Sequence, residues 1–357
     1  MSVEPEAHRV DRTSEQAAGR HVLRRVQVVG GDGGAVDHDA CLAERRAGRE
    51  RRDEAFGQLE LGLDAADVAA PYPLCWLDGA LQPLAAARIS PLDRGFLFAD
   101  GVYEVIPVHR GRPFRLREHL ERLARSLAAI RLADPNNLAG WAAIVEQVTR
   151  AAGDREMLVY LQVTRGAEHG RNHLFPAGVA PTVFAFASPY PQPSTRTLEA
   201  GLAAVTLEDT RWARCDIKSV ALLANVLLRQ EAADRGADEA LLVRDGLLLE
   251  GSSSSVFLCV GGTLVTPPND RRILPGTSRD AVLELARGWL PAEVCPIEAR
   301  VLANCDEAWI ASAGRGVLPV TRIDGRPVGS GLPGPLWQAT YARLQRHLDE
   351  IAATPAL

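Results

Sequence analysis

The chain has 357 residues, 46% of them hydrophobic and 24% charged, and carries a formal net charge of −5. That composition suits a globular enzyme long enough for about two domains, and with arginines interspersed with acids nothing predicts a nucleic-acid surface. No apolar run approaches a membrane span and no secretory signal opens the chain. Together with six scattered cysteines lacking metal-ligand spacing (Cys41, Cys75, Cys215, Cys259, Cys295 and Cys305), this leads us to expect a cytoplasmic protein with reduced thiols.

Residues 1–70 are polar and charge-clustered, as in Glu44-Arg-Arg-Ala-Gly-Arg-Glu-Arg-Arg-Asp53. They bury too little to order themselves and read as a disordered N-terminal extension. From Pro71 the pattern changes to short apolar strands. Leu74–Leu77 and Ala80–Leu81 flank Asp78-Gly79 as a hairpin, and a glycine-punctuated loop from Pro91 leads into a strand carrying Tyr103. Leu116, Leu120, Leu123, Leu127 and Ile130 recur at helical spacing, as do Leu138, Trp141, Ile144, Val145 and Val148. Strands are expected at 157–163 and 182–187, with a polar loop 164–176 between them. The proline-rich stretch 189–194 divides an N-terminal α/β domain, 71–188, from a C-terminal one, 195–357. In the second half, strands are expected at 202–207, 240–243, 247–250 and 308–311. Helices are expected after Lys218 to about Gly236, from Thr277 as cap to about Leu290, and from Leu336 to Ile351.

Lys218 is the sole lysine; every other Lys+Arg position of the 40 is arginine. A guanidinium stays protonated, whereas a desolvated lysine amine condenses with an aldehyde, and pyridoxal phosphate (PLP) is the common partner of such a lysine. The apolar run Val220, Leu222, Leu223, Val226, Leu227 is expected to set Lys218 against a buried helix. A PLP site also needs an acid at the pyridine nitrogen, a phosphate cradle and a substrate pocket. Glu250, ahead of Gly-Ser-Ser-Ser, could supply the acid, and a helix opening at Thr277 and Ser278 the cradle. Arg171 and His173 could grip a carboxylate. Each also fits a plainer account: a strand-end glutamate, an ordinary helix start, two solvated loop side chains.

Five stretches together resemble D-amino-acid transaminases, members of the class IV, or fold type IV, PLP aminotransferases: Asp93-Arg-Gly-Phe-Leu-Phe-Ala-Asp-Gly-Val-Tyr-Glu-Val105, Gln162-Val-Thr-Arg-Gly166, Arg211-Trp-Ala-Arg-Cys-Asp-Ile-Lys-Ser219, Glu250-Gly-Ser-Ser-Ser-Ser-Val-Phe257 and Ile273-Leu-Pro-Gly-Thr-Ser-Arg-Asp280. The resemblance spans roughly 72–350. It implies a two-domain α/β homodimer with PLP between the domains, Lys218 as the Schiff-base lysine and Glu250 at the pyridine nitrogen. Arg122, Thr277, Ser278 and Ser312 match the family's phosphate-side positions. Tyr103, Arg171 and His173 match the trio that binds the substrate α-carboxylate, the loop pair reaching over from the other subunit. The implied reaction is ping-pong transfer of an amino group from a D-amino acid to 2-oxoglutarate or pyruvate. Branched-chain L-amino-acid transaminase, (R)-selective amine transaminase and aminodeoxychorismate lyase are the alternatives on the same fold. Ala313 and Gly314 replace usual hydroxyl residues, Gly316 a commonly acidic one and Ser255 an asparagine. The loop before Arg171 is one residue longer than the pattern, with Gly170 where proline is common.

Overall fold

The computed structural model describes residues 70–353. The expected disordered extension, except for Ala70, lies outside the described residues.

β1 (Leu74–Leu77) and β2 (Ala80–Pro83) form the expected hairpin, with Asp78 and Gly79 both at positive φ in the turn. A short helix α1 (Arg94–Phe98) precedes β3 (Gly101–His109) and β4 (Arg112–Pro113); α2 (Leu116–Ala129), α3 (Leu138–Ala152), β5 (Met157–Thr164) and β6 (Thr182–Pro189) follow. These strands make an antiparallel sheet in the order β2-β1-β6-β5-β3-β4. The period-2 alternation of β5 is visible in its burial: Met157, Val159, Leu161 and Val163 face the core, against Leu120, Leu123 and Leu127 of α2 and Trp141 and Val145 of α3. Val102, Ile106 and Val108 of β3 share that core, and Tyr103 and Val105 turn to the other face.

After residues 190–194, α4 (Thr195–Ala200) starts with Ser194 as cap, its Oγ accepting from Thr197 N at 3.1 Å. The second sheet is built from β7 (Leu202–Glu208), β8 (Glu239–Arg244), β9 (Leu247–Gly251), β10 (Ser255–Val260), β11 (Thr263–Thr266), β12 (Ala292–Val294), β13 (Ile297–Glu298), β14 (Glu307–Ser312), β15 (Gly316–Ile323) and β16 (Arg326–Pro327). Its order is β12-β11-β10-β14-β15-β7-β8-β9-β13, with β16 on β15; the β15–β7, β7–β8 and β11–β12 pairs are parallel. β10 and β14 are buried on both faces, so they read as apolar runs rather than alternations. One face packs under α6 (Thr277–Ala286) and α7 (Pro335–Ala353), where Phe257 and Trp309 meet Val282, Ala286, Trp337 and Leu344. No helix among the described residues is long and apolar enough to cross a membrane.

Two expectations need correction. Lys218 is not set against a buried helix: it lies in an extended segment, and α5 (Leu223–Asp234) starts five residues later. Leu223, Val226 and Leu227 of that helix are 72%, 59% and 60% exposed. What holds the segment is strand-like pairing with β3: Tyr103 N donates to Lys218 O at 3.0 Å and Val220 N to Gly101 O at 3.1 Å, while Lys218 N donates to Ser126 Oγ at 3.2 Å. The apolar run marked a helix correctly, but the backbone satisfies itself on a neighbouring strand before that helix begins. The helix from Thr277 also ends at Ala286, short of Leu290, because the chain leaves helical geometry at Arg287.

The inward register of β5 predicts that Leu161→Ala lowers the unfolding free energy of the apo protein by about 2–5 kcal/mol in urea titrations.

Candidate active site

The two sheets meet at a cleft of about 800 Å³. Tyr103 and Arg122 reach it from the first sheet and α2, Lys218 from the joint between the sheets, and Glu250, Thr277, Ser278 and Ser312 from the second half of the chain. The fold therefore gathers seven of the nine residues singled out in the sequence around one cavity. The Lys218 amine is half-buried, 4.3 Å from the centroid of the Tyr103 ring. Cys215 also lines the cleft, but burial pushes its thiol up to about 11, so it stays protonated and is no rival nucleophile.

Glu250, next to last in β9, is a buried carboxylate. Arg211 Nη1 donates to its Oε1 at 2.5 Å and Leu274 N donates to its Oε2 at 3.1 Å. Arg211 is itself gripped by Asp209, through Nε to Oδ1 at 2.8 Å and Nη2 to Oδ2 at 3.1 Å. Burial raises Glu250 to about 7 despite the opposing charge and hydrogen bonds of Arg211. The turn after Glu250 is fixed from behind by Glu239, a fully buried carboxylate. It accepts from Ser252 Oγ at 2.5 Å and Ser254 Oγ at 3.0 Å, and pairs with Arg315 from the loop beyond Ser312.

At the start of α6 the expected cap is corrected. Gly276 is the N-cap, Thr277 is the first helical residue, and no side chain caps the helix. A Cβ on Gly276 would lie 2.5 Å from Ser255 Oγ and 3.2 Å from Arg279 Cβ, so a side chain there would displace Ser255. The Thr277 hydroxyl is engaged elsewhere, 3.2 Å from His119 Nε2. His119 Nδ1 lies 2.7 Å from Glu104 Oε2, and Arg122 holds the same carboxylate bidentately, Nε to Oε1 at 2.8 Å and Nη2 to Oε2 at 2.7 Å. Arg122 Nη1 donates to Pro275 O at 2.8 Å, fastening α2 to the segment ahead of α6.

This network has one consistent proton arrangement. Burial would raise Glu104, but the charge and hydrogen bonds of Arg122, with the His119 bond, outweigh it and hold the carboxyl down at about 2. An ionised carboxylate only accepts, so His119 Nδ1 carries the hydrogen. Burial lowers His119, as do the Arg122 and Lys218 charges, against the pull of Glu104; the ring is neutral and Nε2 is an acceptor. The Thr277 hydroxyl hydrogen is therefore committed to Nε2. Glu104 and His119 went unnoticed in the sequence. Their signal was a charge in register with Val102 and Ile106, and a histidine on the Leu120–Leu123 stripe of a helix, where a polar group implies a buried partner.

Arg171 and His173 are not among the residues lining the cleft. They lie exposed on the loop after β5, beside Phe98, the Arg171 guanidinium 5.0 Å from its ring centroid.

Residues 101–323 match the family described as Amino-transferase class IV. The chain belongs to the class IV aminotransferases. It is 39% identical over 279 residues to the D-alanine aminotransferase of Bacillus licheniformis, covering 78% of this chain and 98% of the relative. It is 35% identical over 276 residues to that of Staphylococcus haemolyticus, covering 77% and 97%. Among solved structures, the branched-chain aminotransferase of the thermophilic archaeon Thermoproteus uzoniensis with norvaline superposes with a TM-score of 0.69 at 26% identity, covering 77% and 94% of the two chains. A further branched-chain amino acid aminotransferase, from T.th., was solved with pyridoxamine 5′-phosphate and gives a TM-score of 0.72 at 25% identity, covering 80% and 95%. Class IV aminotransferases use PLP, and this chain is a PLP-dependent aminotransferase of fold type IV, a mixed α/β architecture.

The cleft fits that cofactor. The first N–H groups of α6, unpaired within the helix, together with Ser278 and the cradle at Gly276, could hold a phosphate. Glu250, raised by burial, would be favoured as an anion by a protonated ring nitrogen opposite it.

These geometries make two predictions. Thr277→Val leaves His119 Nε2 buried without a donor and weakens PLP binding about tenfold in apo-enzyme titrations, whereas Thr277→Ser stays near wild type. For Glu250, the folded apo protein retains between about pH 4.5 and about pH 7 a proton that the unfolded chain has released. Apo stability should therefore fall as pH rises through that window, and Glu250→Gln should flatten this part of the Tm profile.

Proposed function

We propose that the protein is a D-amino-acid:2-oxo-acid aminotransferase acting on D-alanine, taking the amino group from the D-amino acid and handing it to 2-oxoglutarate or pyruvate. The observation that carries this reading is the convergence of Lys218, Tyr103 and Glu250 on one cleft, in a chain 39% identical to a D-alanine aminotransferase across nearly all of that relative. The branched-chain relatives support that alternative only as a shared fold.

When bound, PLP supplies an aldehyde for amine exchange and an electron-poor ring that accepts the electron pair left at the substrate α-carbon. The chain's residues do the rest. The Lys218 amine would hold the cofactor through its aldehyde and would serve as the base for the proton on the substrate Cα. Glu250, backed by Arg211, would pair with the protonated ring nitrogen. Arg122, the α6 N–H groups of Thr277 and Ser278, and Ser312 would hold the phosphate side. Tyr103, on the Lys218 side of the cleft, with Arg171 and His173 binds the substrate α-carboxylate. Because Lys218 lies on one face, the carboxylate grip decides which enantiomer turns its Cα–H toward the amine, and the selection is for D.

Arg171 and His173 act in this reading from the other subunit of a homodimer, which accounts for their exposure on a single chain. Residues 71–188 and 195–357 act as two domains joined by 189–194, each carrying one sheet. The five described cysteines are free thiols, which suits a cytoplasmic setting.

Stopped-flow absorbance of the PLP-loaded enzyme tests the reading. Mixing with D-alanine is expected to convert the cofactor band and release pyruvate, and mixing with L-alanine to leave the band unchanged; conversion by L-alanine alone would overturn the D assignment.

A further inference from the structure

We infer that Arg94 and Phe98, the two ends of α1, are positioning residues that present Arg171 and His173 and so set how tightly the enzyme holds the substrate α-carboxylate. The inference rests on the proposed role of those two loop residues and adds the structure through which they act.

The short helix is pinned in place before it touches the loop. Asp93 caps it, Oδ1 accepting from Gly95 N at 2.7 Å, and its Oδ2 accepts from Thr164 Oγ1 at 3.0 Å and Thr182 Oγ1 at 2.7 Å, so α1 is fastened to the ends of β5 and β6. Arg94 N adds a bond to Gly166 O at 2.9 Å. The Arg94 side chain, 3% exposed, then spreads over the loop that follows β5. Its Nε donates to Asp100 Oδ2 at 2.8 Å, and Nη1 donates to Asn172 O at 2.6 Å and pairs with Glu168. Nη2 lies 3.5 Å from His173 O. One guanidinium thus meets the loop at residues 168, 172 and 173, on both sides of Arg171. Five rigidly arranged donors can do this; a lysine ammonium cannot.

Phe98 supplies the second element. The Arg94 guanidinium lies 4.8 Å from its ring centroid, that of Arg171 5.0 Å, and the His173 ring 5.3 Å at an interplanar angle of 51°. Neither Arg171 nor His173 makes an ion pair among the described residues. A cation seated on an aromatic face keeps its N–H edges free while its orientation is restricted, the condition for binding a carboxylate with little further loss of side-chain freedom. Gly166 and Gly170, both at positive φ, give the loop backbone the freedom that these contacts then remove.

The test compares Phe98→Leu, Phe98→Tyr and Arg94→Lys with Arg171→Gln in the PLP-loaded enzyme. KM and kcat for D-alanine are measured together with cofactor affinity. Phe98→Leu and Arg94→Lys are expected to raise the KM about tenfold with kcat and PLP affinity near wild type, Phe98→Tyr to restore the KM, and Phe98→Leu to add nothing in an Arg171→Gln background. Phe98 is only partly buried, so its variants test the idea even if Arg94→Lys fails to fold. If Arg171→Gln raises the KM and Phe98→Leu does not, the positioning role is overturned while the carboxylate reading stands. If Arg171→Gln itself leaves the KM unchanged, the carboxylate reading falls and the positioning role with it.

Discussion

The site depends on a short stretch of strand-like pairing between two halves of the chain. Residues 218–220 lie along β3 through the Tyr103 N to Lys218 O and Val220 N to Gly101 O bonds, and the bridge Val102–Ser219 completes the join. These few bonds satisfy backbone groups that an edge strand would otherwise expose. They also put the chain's sole lysine amine against the Tyr103 ring, at the mouth of a cleft whose other walls come from strands and a helix far along the sequence. Without that join, Lys218 would be a lysine on a loop.

Around it, the buried carboxyls of Glu104 and Glu250 are each matched with one guanidinium, and the sharing of that guanidinium sets their behaviour. Glu104 has Arg122 bidentately and His119 besides, so the attraction outweighs the desolvation and the group stays low, at about 2. Glu250 has only one bond from Arg211, which also serves Asp209 through two, so desolvation prevails and the group rises to about 7. The same two residue types therefore build a fixed anchor beside the start of α6 and a responsive carboxyl near the end of β9. Arginine suits both places because its planar fork satisfies two oxygens at once, which repays the desolvation of a buried pair only when geometry is good.

Much of the fold could be read from the sequence, and the exceptions have physical causes. The hairpin at Asp78-Gly79, the alternation of β5 and the leucine stripes of α2 and α3 are local patterns that tertiary packing merely completes. The strand at 182–187 continues to Pro189 because Met157 pairs with that residue, a long-range register invisible in the local composition. Lys218 stood out through its singularity, and Glu250 and Thr277 through strand-end and helix-start patterns that bring them to the cleft. The environment of Lys218 was not, since apolar spacing in α5 marks a helix without revealing which faces meet a neighbour. Glu104, His119, Arg211 and Arg94 escaped for a related reason: their meaning lies in partners 15 to 158 residues away, across helices and strands that only the folded chain brings together.

The central claim, that Lys218 is the amine holding the cofactor, is tested most directly by borohydride reduction of the PLP-loaded protein followed by peptide mass mapping. With one lysine in the chain, the only competing amine is the α-amine. A single pyridoxyl adduct on the peptide containing Lys218, absent from Lys218→Ala, is the predicted result; an adduct on the N-terminal peptide, or one that survives in Lys218→Ala, would contradict it.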